Sequence, residues 1–204
     1  MIDMIATSFQ TDGKEFMWAI LVFAAIALAI IAERTYHIYI KCSKGRAEFM
    51  NVIARLLQAG KAEEAGREAS RLDIPLAAIV SAVLNNKSRG ERALDKAVDE
   101  VYLTEAPRIT RYLNVLMTVA NLATLTGLLG TIYGLMIAFD AVGNLPAAER
   151  PAMLANGIAV AMATTFFGLV VAIPTIFVHG LLSTQAERLV EEMEEKAVKV
   201  INLL

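Results

Sequence analysis

From Ala152 to Ala186 the chain runs 35 residues without an Asp, Glu, Lys or Arg. Crossing the hydrocarbon of a bilayer takes about 20 apolar residues. In that medium every backbone N–H and C=O must be satisfied internally, so a single segment of this kind is a helix. Two further charge-free apolar runs occur, Phe16–Ala32 with 17 residues and Tyr112–Phe139 with 28. The first makes a short span. The second and third exceed what a bilayer needs, so their ends are expected to continue as helix beyond it. Only 20% of residues are charged and mean hydropathy is +0.53, against about 25% charged in soluble domains. The expected fold is an all-α membrane protein with three transmembrane helices, the second and third long and extending into a helical cytoplasmic domain.

Lys and Arg set the orientation. The tail 1–15 has only Lys14 and the loop 140–151 only Arg150, whereas 33–111 carries fourteen such residues and 187–204 three. The positive-inside rule places 33–111 and the C-terminus in the cytoplasm. The expected organisation is an outer (periplasmic) tail 1–15, a first span 16–32, a cytoplasmic helical domain 33–111, a second span 112–139, an outer loop 140–151, a third span 152–182 and a cytoplasmic C-terminal helix 183–204. The first run lacks a basic leader, and Glu33-Arg34 follow it without an Ala-x-Ala site. It reads as an anchor rather than a cleaved signal.

Within 47–106 no strand-like alternation occurs, and several amphipathic helices are expected. Phe49, Val52, Ile53, Leu56 and Leu57 form one apolar face, and Gly60 is a stop. Lys61–Leu72 makes a charged helix. Pro75 opens another, with Leu76, Ile79, Val80, Val83 and Leu84 on one side, and Asn85–Gly90 is a turn. Glu91–Glu105 follows, with Leu94, Val98, Val101 and Tyr102 inward. About 60 residues bury little core alone, so packing on helical extensions of the spans and on neighbouring subunits is expected. Pro107 would start the second span or kink a helix. Gly143 to Pro146 and Pro151 should break the chain. After the third span, Ala186, Leu189 or Val190, Met193, Ala197, Val200 or Ile201, and Leu204 recur at a spacing that suits helix association. His37 reads as an interfacial residue. Cys42 reads as a reduced thiol, with palmitoylation a weaker alternative.

The two long spans each carry a seam of small residues. Ala120, Thr124, Gly127, Thr131, Gly134 and Ala138 are spaced 4, 3, 4, 3, 4, which places them on one helical face. Ala161, Thr165, Gly168, Ala172 and Thr175 repeat the pattern, with Thr164 beside it and Pro174 in the same segment. Membrane helices use small residues where they pack closely. Thr131 and Thr165 both fall near mid-span. Their hydroxyls can bond carbonyls of their own helix, or they can solvate a carboxylate or a passing cation.

Composition also excludes chemistry. One cysteine, Cys42, rules out an intrachain disulfide, and no nucleotide, zinc or hydrolase motif occurs. Neither a cofactor, nor a metal, nor nucleic acid, nor enzymatic catalysis is expected. No ionisable acid lies in the spans, with Asp140 at the outer edge. Either the chain moves no ions, or a partner brings the charge.

Gly127–Met136, GLLGTIYGLM, resembles the second-span signature of the ExbB/TolQ proton-channel proteins, and Ile158–Pro174, IAVAMATTFFGLVVAIP, resembles their third-span signature. Glu105 with Arg108 and Arg111 fits the family lead-in. The related MotA proteins have four spans, so three favour ExbB/TolQ. The resemblance implies a pentameric pore-forming subunit in the bacterial inner membrane, surrounding a dimer of single-span ExbD/TolR-like proteins, each with a membrane aspartate. It would use the proton motive force to do work on the cell envelope or drive transport, acting with an envelope-spanning TonB/TolA-like protein in contact with membrane lipid. The implied ion path passes Thr131 and Thr165, with Thr164 and Thr124 as further lining. Gly127, Gly130, Gly134, Ala161, Gly168, Ala172 and Pro174 form the packing seam. Val160 stands where the family often has Glu, Thr124 where it often has Pro, and Tyr133 where it often has Trp. The additional hydroxyls leave sodium coupling open, and a non-conducting scaffold is the rival reading.

Overall fold

A computed structural model describes residues 13–42 and 45–203. Most of the tail 1–15, Lys44 and the last apolar position, Leu204, lie outside the described residues. Among the described residues there are helices and turns and no strand. Three helices are long and apolar enough to cross a membrane. We number the helices α1 (Lys14–Thr35), α2 (Arg46–Gln58), α3 (Ala62–Arg71), α4 (Pro75–Asn86), α5 (Glu91–Thr110), α6 (Leu113–Asn144) and α7 (Arg150–Ile201). A π-helical turn, Tyr36–Lys41, follows α1, and a short 3-10 turn, Lys87–Arg89, follows α4. The chain divides into two compact units. One holds the described residues up to Ala32 with Tyr112–Gly180, and the other holds Glu33–Arg111 with the chain from Leu181 onward.

The first unit is built on α6 and α7. Their contacts run in opposite senses, Gly134 against Gly157 and Ala161, Gly130 against Thr164, and Gly127 against Thr165 and Gly168, so the two helices are antiparallel. The seam brings backbone against backbone. A methyl group on Gly134 would stand 2.6 Å from Ala161 N, and one on Gly157 2.6 Å from Gly134 O, closer than non-bonded atoms tolerate. Leu128, Leu129, Met136, Met162 and Phe177 are meanwhile exposed. This inverts the arrangement of a water-soluble helix, and a lipid environment removes its cost. α1 buries a narrow stripe of Met17, Ile20 and Ala27. Phe16 packs on Tyr133 with ring centroids 5.4 Å apart.

The second unit is a helical cluster with the successive pairs α2–α3, α3–α4 and α4–α5 in contact. Ile53, Ile79, Val80, Val83 and Ile109 are fully buried. In α2 the buried residues are Phe49, Met50, Ile53 and Leu57. Val52, expected on that face, is exposed, because the true stripe follows 49, 50, 53 and 57. Leu94, Val98, Val101 and Tyr102 of α5 are only half-buried. Gly60 ends the turn after α2 with φ +74°, where a side chain would be strained. Pro75 begins α4 after an extended Ile74, as a proline at the first helical position requires. On the last part of α7, Leu189, Met193, Ala197 and Val200 are buried, and Glu192 pairs with Arg46.

Two expected breakpoints move. Pro107 lies inside α5 and does not open the second span. Its ring displaces only the bond to the carbonyl four residues back, at exposed Leu103, where water can replace it. The break comes at Arg111–Tyr112, where the charge-free run of the second span begins, with Tyr112 at φ +64°. At the C-terminal end of α6, Gly143 and Asn144 stay helical, the Asn144 amide donating to Asp140 Oδ1 at 2.7 Å. The loop is therefore confined to 145–149, and Pro151 sits in the first turn of α7. α7 is continuous from Arg150 to Ile201, so the charge-free run 152–186 and the helix after it are one element.

His37 is half-buried rather than superficial. Burial, followed by the charges of Arg34 and Lys41, pushes its pKa below the ordinary histidine value. Cys42 is buried, with Sγ 3.5 Å from His37 Nδ1. Burial raises its thiol pKa, so the thiolate needed for acylation is disfavoured, which argues against palmitoylation.

The contrast between seam and surface glycines gives a test. Gly134→Val should destabilise the protein in micelles by about 1–3 kcal/mol through overpacking. Gly143→Ala, with open space around it, should be neutral or stabilising by up to about 1 kcal/mol. Thermal unfolding of the two variants beside the parent checks both.

Candidate ion-pathway site

The site grows out of the α6–α7 seam. Because Gly127 and Gly168 have no side chain to hold the helices apart, the hydroxyls one turn along each helix reach across the interface. Thr131 and Thr165 place their hydroxyls in direct contact. Thr131 Oγ1 is also 3.2 Å from Gly127 O on its own helix and 3.1 Å from Ala161 O on the facing one. Thr165 Oγ1 is 3.4 Å from Gly127 O. Four oxygens thus converge, two hydroxyl and two carbonyl. Each hydroxyl donates one proton, so these contacts cannot all be hydrogen bonds at once. Both side chains are half-buried. The cluster can therefore rearrange its protons towards a newcomer.

The other threonines behave differently. Thr164 is 1% exposed, wedged against Gly130. Its hydroxyl donates within its own helix, to Val160 O at 3.1 Å or Ala161 O at 3.0 Å. Its position one residue from Thr165 turns it about 100° round the helix, into the interface, which corrects the expectation that it lines a path. Thr124 donates to Ala120 O at 3.2 Å and Thr175 to Val171 O at 2.7 Å, the ordinary local bond of a membrane-helix threonine.

Gly127, Gly130, Gly134, Ala161, Gly168 and Ala172 are all buried. Pro174 is exposed and does not belong to the seam. Two residues beyond Ala172, it is rotated about 200° away. Two seam members escaped the sequence reading. Gly157 packs against Gly134 and Ala138, and the Ala123 carbonyl lies against Gly168. Gly157 stands four residues before Ala161, so extending the spacing by one step finds it. Val160 is 6% exposed, and a methyl on Gly13 would come 2.8 Å from its Cγ1. This position is apolar and closed. Neither span carries an acid between Leu113 and Phe139 or between Ala152 and Ala186.

Comparison with known proteins bears on this geometry. A family model described as the MotA/TolQ/ExbB proton channel family matches residues 52–195, which include both seams and the hydroxyl pair. A biopolymer transport protein ExbB homolog of Methanothermobacter thermautotrophicus is 29% identical over 147 residues, covering 72% of this chain and 52% of that protein. The biopolymer transport protein exbB1 of Vibrio cholerae is 27% identical over 194 residues, 91% of this chain and 82% of that protein. The Tol-Pal system protein TolQ of Haemophilus influenzae is 36% identical over 77 residues, covering 38% of this chain and 33% of that protein. The chain thus spans about half the length of the Methanothermobacter relative and most of the Vibrio one. With the family model running through the greater part of the sequence, this chain belongs to the MotA/TolQ/ExbB proton channel family.

Proposed function

We propose that the chain is the pore-forming subunit of an ion-driven motor in the bacterial inner membrane, powered by the proton motive force. Its N-terminus lies in the periplasm, and residues 33–111 and the C-terminus lie in the cytoplasm. It works as a homopentamer around two ExbD/TolR-like single-span subunits, each with a membrane aspartate, and delivers work to the envelope through a TonB/TolA-like protein. The relatives' names, biopolymer transport and Tol-Pal, support this class of task.

The observation that carries the reading is the Thr131–Thr165 cluster in a wall without an acid. An ionised carboxylate only accepts hydrogen bonds, and the two hydroxyls can supply them. A protonated carboxyl donates one, and Gly127 O or Ala161 O can accept it. The same cluster therefore suits both states of a partner's aspartate as a proton arrives and leaves. Sodium is the second reading, favoured by the convergence of four oxygens, the ligand type a hard cation takes.

Thr131→Val with Thr165→Val should lower proton flux through the reconstituted complex by about 10- to 100-fold, the worth of hydrogen bonds to a charged group, with assembly unchanged. Thr164→Val should leave flux near the parent value. Full flux in the double variant would leave only the scaffold reading. The coupling ion is read separately. Motor function should collapse with a protonophore and survive removal of sodium. The reverse result assigns the cluster to sodium.

A further inference from the structure

The α6–α7 interface is not uniform along its length. A methyl group on Gly127 would meet Thr164 O at 2.9 Å, and one on Gly134 would meet Ala161 N and Gly157 O at 2.6 Å. Those obstacles are backbone. At Gly130, between the two, the nearest atoms belong to a side chain, Thr164 Cβ and Oγ1 at 2.6 Å and Cγ2 at 2.7 Å. Thr164 is therefore a wedge held between two backbone contacts. It is fully buried, and its β-branch restricts the rotamers open to it. Its hydroxyl donates within its own helix, to Val160 O or Ala161 O. In a continuous helix each of those carbonyls already takes a backbone N–H from four residues on. The hydroxyl bond thus holds the rotamer and satisfies no orphan group.

The wedge matters because of what adjoins it. Thr131 follows Gly130 on α6, and Thr165 follows Thr164 on α7. The pair that fixes the local spacing and the pair whose hydroxyls touch are successive residues on both helices. A change of spacing at 130 and 164 passes to 131 and 165 with no intervening turn to absorb it, and hydroxyl contacts weaken steeply with distance and angle. Gly130 has no side chain to fill the space that a smaller residue at 164 would leave. A packed interface answers such a loss with partial collapse or a cavity, and collapse or loosening here displaces the hydroxyls. What position 164 supplies is branched volume rather than a polar group.

We propose that Thr164 is the positioning residue of the hydroxyl pair, its bulk against Gly130 setting the helix separation at which Thr131 and Thr165 touch. It lines no path and acts only through its neighbours. Its part in conduction rests on the proposed reading of that pair as the ion site, and the test separates the two.

The first measurement needs neither partner nor flux. Side chains whose tips touch are within disulfide reach, so Thr131→Cys with Thr165→Cys in the full chain in detergent should cross-link under copper–phenanthroline. Peptide mass identifies the product and separates it from any that involves Cys42. Adding Thr164→Val, which keeps the branch, should leave the rate within about twofold. Adding Thr164→Ser, which keeps the hydroxyl and loses the branch, or Thr164→Ala should slow it about tenfold, the order of effect of a misplacement below 1 Å. Gly130→Ala should also slow it, and Thr164→Ala should then restore it, because the obstacle there is a side chain. Gly134→Ala should gain nothing from Thr164→Ala, because its obstacle is backbone. The second measurement is proton flux per assembled complex with Thr131 and Thr165 intact, where the same order should appear, Val near the parent and Ser and Ala about tenfold lower.

Equal cross-linking in the Val, Ser and Ala variants overturns the proposal. So does a fast Ser variant beside a slow Val one, which assigns the role to the hydroxyl, and so does rescue of Gly134→Ala. Cross-linking in the expected order beside flux that is the same in every variant upholds the positioning of the pair and overturns the ion-path reading instead.

Discussion

The first unit depends on one contact, the backbone-to-backbone approach of α6 and α7 at Gly127 and Gly134 against Gly157, Ala161 and Gly168, with the Thr164 side chain filling the space at Gly130. In lipid, burying large apolar side chains brings no advantage over leaving them in the acyl chains. Helix pairing must come from close van der Waals contact and from polar groups. The glycines provide the first. They also bring Thr131 and Thr165 within reach of one another and of two carbonyls. A single bulky residue in the seam would separate the helices and dissolve the oxygen cluster with them. Packing and site are one feature here.

Charge follows a complementary rule. The long spans carry none, and Val160 is closed under Gly13. Charge gathers where the chain leaves the membrane, with Arg34 buried against Glu33 and Arg108 O and further cations around it. A wall of hydroxyls and carbonyls can hold a carboxylate or a carboxyl group but cannot carry a proton through its own titration. On the proposed reading, the acid that proton conduction uses comes from the partner.

Much of this was legible in the sequence because it is periodic. Charge-free length marks the spans, and the 4, 3, 4, 3 spacing marks the seams. It pairs Thr131 with Thr165 before any coordinates are consulted. What spacing does not resolve is rotation by one or two residues. Thr164 and Pro174 share the segment with Thr165 and Ala172, yet one turns into the interface and the other away from it. Breakpoints were the other weakness. Pro107 and Gly143 have helix-breaking chemistry, but each sits where its helix tolerates it, and the break falls at Arg111–Tyr112, where the charge-free run of the second span begins. The wedge of Thr164 at Gly130 joins residues far apart in the chain, so no motif could announce it.

The central claim is that this wall conducts only when another chain supplies the carboxylate. Proton flux into proteoliposomes, followed with a pH-sensitive dye under an imposed potential, tests it directly. The purified chain alone should conduct nothing above lipid background. Addition of its single-span partner should open flux, and changing that partner's membrane aspartate to asparagine should close it again. Proton conduction by the chain alone, or flux that survives loss of the aspartate, would contradict the account.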